Sequence, residues 1–234
     1  MNRRRLIGAV LIFSCTFAPV AQAQTAITNA NIGTAVTAWA TNPTTAAATY
    51  GNIADWNTAA VSDMCQLFYN KPTFNADIGK WDVASVSNMR GVFYGATAFN
   101  ADIGSWNTAR VVNVLQMFYN ATSFNVNICT WNTASANNMQ SMFNGAHAFN
   151  QDISRWNVAA VINVNYMFRG AFAFDANIGL WNTASVITCF YTFQSATSFN
   201  QNIASWNTAS VSNMASVRPL VFPIAIMRGV WVVL

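Results

Sequence analysis

Trp56, Trp81, Trp106, Trp131, Trp156, Trp181 and Trp206 stand 25 residues apart, with nothing inserted or lost between any two of them. The sequence around them repeats as well: "FNADIGKWDVASVSNMRGVFYGATA" over 74–98 is followed by "FNADIGSWNTARVVNVLQMFYNATS" over 99–123. A period kept through seven copies makes the unit itself structural, because one insertion would take identical side chains out of alignment in every later copy. Aligned, the copies read F-N-x-(D/N)-I-x-x-W-(N/D)-(T/V)-A-x-V-x-N-M-x-x-M-F-x-x-A-x-x. The apolar columns are Ile53 to Ile203, the seven Trp, Val61 to Val211, Met64 to Met214 and Phe68 to Phe193. One unit is too short to bury its own apolar side, whereas stacked units turn each column into a ladder inside a shared core.

The spacing I-x-x-W-x-(T/V) is similar to the L-x-x-L-x-L strand of a leucine-rich repeat, and V-x-x-M-x-x-M-F has the three-to-four spacing of a short helical or 3₁₀ turn. Together they predict a leucine-rich-repeat-like parallel β-solenoid of seven coils over residues 49–217, the last incomplete. Asn columns, at Asn75, Asn100, Asn125, Asn150 and Asn200 and again at Asn88, Asn113, Asn138, Asn163 and Asn213, suit its corners, since Asn tolerates tight turns and bonds nearby backbone.

Both ends leave the pattern. Residues 24–48 read as an N-terminal cap and linker: Ile32, Val36 and Trp39 share a helical face, with Asn29 or Asn31 as N-cap and Pro43 as stop, before the small-residue linker "TNPTTAAATYG". After Met214 the register fails, and residues 218–234 form an irregular hydrophobic tail, read as a capping segment or a misassigned gene end. Its run over 219–234 is broken by Pro223 and Arg228 and falls short of the roughly 20 residues of a membrane helix. No stable transmembrane span is expected.

Hydrophobic residues make up 53% of the 234, enough for a sizeable core, and charged residues only 8%, so solubility rests on Asn, Thr, Ser and Gln. The net charge of +4 includes Arg3, Arg4 and Arg5 ahead of "LIGAVLIFSCTFAPV", and "AQA" follows at 21–23. This is the pattern of a secretory signal over residues 1–23, which predicts a secreted or cell-surface protein. Phe13 before Ser14 fits a lipobox at Cys15 poorly. Without the signal, 11 − 3 = 8 Lys and Arg face 7 Asp and no Glu, a balance that gives no electrostatic footprint for nucleic acid. Cys65, Cys129 and Cys189 sit at three different places in the repeat, too far apart in a stack for the ~7 Å that a disulfide needs between Cα atoms.

Catalytic equipment is sparse: one His, no Glu and scattered Asp predict no enzyme and no cofactor. His147 shares a column with Thr97, Thr122, Phe172 and Thr197, which reads as a surface substitution. Asp77, Asp102 and Asp152 alternate with Asn127, Asn177 and Asn202; a calcium site is conceivable there, but turn acceptors are the better reading. The Trp ladder reads as structural core rather than as a sugar platform. A Thr column, Thr58, Thr108, Thr133, Thr183 and Thr208, is interrupted by Val83 and Val158, which weakens a likeness to ice-binding arrays. Tyr69, Tyr94 and Tyr119 follow the core Phe of three successive repeats, before Asn144, Arg169 and Gln194 take the column. They are the candidate binding residues, an amphipathic strip at one edge of the stack.

The phrases "FNQDISRWNVAAVINVNYMF" and "FNADIGKWDVASVSNMRGVF" resemble the repeats of BspA-like surface proteins, over about residues 49–217. That resemblance implies a non-enzymatic, secreted or surface-exposed module for extracellular protein interaction or adhesion. The alternative is a carbohydrate-binding solenoid, with ice binding a distant third.

Overall fold

The computed structural model describes residues 24–214; the signal expected at 1–23 and the tail at 218–234 lie outside those residues. Coil follows coil at the 25-residue period, but the expected β-solenoid is not what the chain forms. Among the described residues there is no β-strand. Six isolated parallel bridges, Asp63 to Asn88, Asn113, Asn138, Asn163, Thr188 and Asn213 in succession, mark where one coil meets the next.

The reason lies in the turns. Ile78 O accepts the N–H of Trp81 at 3.1 Å and Val83 O that of Val86 at 2.9 Å, and Ile103 with Trp106 and Thr108 with Val111 repeat the closures at 3.2 and 2.9 Å. The supposed strand motif is therefore a pair of i to i+3 turns, which no extended backbone can contain. Ile and Trp still enter the core, because both ends of each turn point inward: Ile78 is fully buried and Trp81 nearly so.

The second half of the repeat is neither strand nor helix. The N–H groups of Met64, Gln66, Phe68 and Asn70 donate to the carbonyls of Asn88, Arg90, Val92 and Tyr94 in the next coil at 2.7–2.9 Å. Between them, the N–H groups of Leu67, Tyr69 and Lys71 close turns on Met64, Gln66 and Phe68 at 3.0–3.2 Å. Gln66 and Asn70 carry φ of 57° and 50°, and the same left-handed positions recur as far as Tyr191 and Ser195. Two such residues per coil interrupt both extended and right-handed helical backbone.

The N-terminal end is covered by two helices. Helix α1, Ile32–Thr41, buries Ile32, Ala35 and Val36. Asn31 stands at its N-cap without capping it, since its Oδ1 accepts the Thr28 N–H at 2.8 Å and its Nδ2 donates to Ala26 O. Asn29 instead pins this segment to the first coil, accepting from the N–H groups of Ser62 and Asp63 at 2.9 and 3.2 Å. Helix α2, Pro43–Tyr50, occupies the expected linker. Asn42 accepts the Thr45 N–H at 3.1 Å, and Pro43 takes the first helical position, where a missing N–H costs nothing. The proline that ends α1 thus also starts α2. Trp39 and Tyr50 meet Trp56 edge-on at 6.2 and 6.0 Å and close the aromatic interior at this end.

Three aromatic ladders form that interior. Phe68, Phe93, Phe118, Phe143, Phe168 and Phe193 stack at 5.3–5.7 Å between coils. Each also stacks within its coil on the Phe six residues later, as Phe118 does on Phe124 at 3.8 Å. All seven Trp are buried. From Trp81 onward each indole N–H donates to the Ile carbonyl 28 residues earlier, as Trp131 Nε1 does to Ile103 O at 3.1 Å. Trp56, with no preceding coil, donates to Gly51 O at 3.1 Å. The Trp column thus binds coils together by apolar burial and by a directed hydrogen bond, which satisfies its only polar atom.

Candidate functional site

Most polar side chains of the repeat are engaged in holding it. Asp77, Asp102 and Asp152 accept the backbone N–H two residues on at 2.9 Å each, as Asn127, Asn177 and Asn202 do in their coils. These are Asx-turns, and among the described residues no group of three acidic, His or Cys side chains could hold a metal. At Asp152 the Ser154 hydroxyl and N–H, with Arg155 nearby, favour the carboxylate and lower its pKa. Asn75 accepts the N–H of Asn100, Asn100 that of Asn125, and Asn125 that of Asn150, at 2.8, 2.8 and 2.9 Å. Each Asn of that column thereby holds its counterpart in the next coil.

The Thr column faces inward. Thr58, Thr108, Thr133 and Thr183 are buried, and their hydroxyls donate to carbonyls of the following coil at 2.8–3.1 Å. An array so buried presents nothing to ice. His147 is exposed and stacks on Phe172 at 4.5 Å. Burial pushes the Cys189 thiol up to about 11, so it stays a neutral core group; Cys65 and Cys129 are half-buried free thiols. The depression between α1 and α2 is lined chiefly by Thr, Ala and Gly, with Tyr50 its only titratable side chain.

Val112, Ile162, Phe172, Leu180 and Ile187 are exposed apolar side chains, and stacked aromatic residues also reach the surface. Tyr69, 39% exposed, and the half-buried Tyr94 and Tyr119 stack in sequence, with ring centroids 4.6 and 4.5 Å apart and planes 23° and 4° from parallel. Partial burial, and then the neighbouring Tyr119 and Tyr69 phenols, raise the Tyr94 pKa, which keeps it a neutral donor at neutral pH. Two coils further along lies a second aromatic cluster that the sequence reading did not select. Tyr166 and Tyr191 stack at 5.5 Å, Phe190 meets Tyr166 edge-on at 4.8 Å, and the Arg169 guanidinium lies 5.9 Å from the Tyr166 centroid. Tyr166 and Tyr191 belong to the column otherwise holding Gln66, Gly91, Gln116 and Ser141, and Phe190 to that of Cys65, Arg90, Leu115, Gln140 and Asn165, so no periodic aromatic signal announces them. Between the clusters Asn144 is buried and does not share the exposure of Arg169.

The model of the family described as "Mycoplasma protein of unknown function, DUF285" matches residues 39–149 and 127–218, most of the chain. The chain belongs to this family. Its matched stretches begin inside α1 and run through every described coil of the DUF285 repeat. No curated protein and no solved structure gives a significant match.

Proposed function

We propose that this DUF285 protein is a secreted or surface-exposed, non-enzymatic repeat protein whose coil stack presents a recognition surface to an extracellular protein. Its repeats resemble those of BspA-like surface proteins, and an Arg-led apolar segment at its start has the pattern of a secretory signal. The single observation that carries the reading is the Tyr69–Tyr94–Tyr119 stack, left at the surface while the Trp and core Phe columns are buried.

The geometry favours protein over carbohydrate. A sugar stacks on a ring face, but both faces of Tyr94 are covered by its neighbours at 4.6 and 4.5 Å. The strip offers edges and hydroxyls, which suit side-chain and backbone partners.

The test is binding of the purified chain to surface-protein extracts and, in parallel, to a glycan array. Replacing all three Tyr with Ser should leave the fold intact and weaken protein binding at least tenfold. Unchanged binding by the triple variant, or glycan binding alone, would overturn the reading.

A further inference from the structure

The two aromatic clusters lie along the same three adjacent columns, separated by a coil whose Ser141 and Asn144 are buried. Arg169 over Tyr166 joins the columns of residues 69 and 66, and Phe190 against Tyr166 joins those of 66 and 65. These three adjacent columns, from Cys65, Gln66 and Tyr69 to Phe190, Tyr191 and Gln194, carry both clusters, with buried Ser141 and Asn144 between them.

The charge of this strip of columns is one-sided. It carries Arg90 and Arg169, both exposed, and none of the chain's 7 Asp. Asp63 stands beside one corner, with its carboxylate accepting the Cys65 N–H at 2.7 Å. The remaining Asp lie on the turns at 55, 75–82 and the equivalent positions of later coils. Among the described residues the one ion pair, Lys80–Asp55 at 3.8 Å, is elsewhere, so neither Arg on the strip has a carboxylate partner. Arg169 is also held in place: its Nε donates to Gln194 Oε1 at 2.7 Å while the guanidinium lies near the Tyr166 ring. An arginine fixed on one edge and against a ring keeps its outer N–H donors aimed at an incoming group.

We propose that this strip is a binding site for an acidic polypeptide segment, with Arg90 and Arg169 pairing its carboxylates and the Tyr69–Tyr94–Tyr119 and Tyr166–Tyr191 pads receiving its apolar or aromatic side chains. This rests on the protein-recognition reading above and names the partner's chemistry. Arg favours planar carboxylate pairing, and Tyr with Arg is the residue combination that concentrates binding energy at interfaces. The second pad, absent from the Tyr column, doubles the contact length and gives the site polarity along the stack.

The experiment measures binding of the full chain to a fluorescent glutamate–tyrosine random copolymer, with sulfated dextran and polylysine as comparison probes. The copolymer should bind, and affinity should fall as salt rises. Arg169→Gln combined with Tyr166→Ser and Tyr191→Ser should lose at least tenfold at an unchanged thermal midpoint. Arg110→Gln, an exposed cation outside the strip, should lose nothing. Failure of the copolymer to bind, preference for sulfated dextran, or equal loss in Arg110→Gln would overturn the proposal. If the copolymer fails while surface-protein binding still depends on Tyr69, Tyr94 and Tyr119, acidic recognition falls and the broader function stands. If copolymer binding passes all these controls while surface-protein binding is absent, the acidic site stands and the broader reading falls.

Discussion

Each Trp contributes an apolar ring and a directed bond, and the two can be separated. Trp131 is buried and its Nε1 donates to Ile103 O in the preceding coil. Trp131→Ala removes both and should cost about 3–5 kcal/mol, the range for truncating a large buried aromatic. Trp131→Phe keeps much of the ring but leaves the Ile103 carbonyl without its indole donor, a loss of about 1–3 kcal/mol. Denaturant unfolding should rank them in that order, Ala below Phe below the parent. An unmoved midpoint for Trp131→Ala would mean that the column does not hold the coils together. The burial of this column was legible in the sequence because seven indoles at one period leave a stack little choice. The acceptor was not, since a carbonyl 28 residues earlier has no side-chain signature.

At the scale of the turn, backbone sign explains where sequence reading stopped. The position equivalent to Asn70 holds Asn70, Gly95, Asn120, Gly145, Gly170 and Ser195, all with φ between 50° and 72°, and its Asn and Gly bias advertises left-handed backbone. The position equivalent to Gln66 holds Gln, Gly, Gln, Ser, Tyr and Tyr at φ of 56–57°, and that mixture advertises nothing. With half of the signal hidden, V-x-x-M-x-x-M-F reads as a short helical or 3₁₀ turn. Likewise Pro43 read as a stop, although Asn42 ahead of it is an N-cap and proline is common at the first helical position. Gly145 and Gly170 give the test. Both are left-handed, but an alanine Cβ at 145 would run into Asn120 Oδ1, whereas at 170 it would come no nearer to another coil than 3.8 Å, from Gly145 Cα. Gly170→Ala should therefore cost only the backbone term, about 1–2 kcal/mol, and Gly145→Ala more. Equal midpoints in denaturant would show that the coils yield locally to relieve the contact.

For the whole molecule, the connections run between neighbouring coils. Backbone donors reach carbonyls 24 residues on, Asn side chains accept from the N–H 25 residues on, and indoles donate 28 residues back. Such a stack has no contact that requires a particular total number of coils, so its stability sums over units and their interfaces. Deleting residues 124–148 joins Ser123 to Phe149, which occupies the place of Phe124 in the repeat. Trp156 then lies over Ile103, and each Asn meets its counterpart again. Deleting only 124–135 removes Trp131 and leaves every later ladder facing the wrong column. The first variant should retain the parent's circular dichroism and unfold cooperatively, with a midpoint lowered by the loss of one interface. The second should not form the stack beyond residue 123. Equal melting of the two would show that register between coils is not what specifies the fold, because only a chain indifferent to the alignment of Trp, Phe and Asn columns could tolerate both cuts alike.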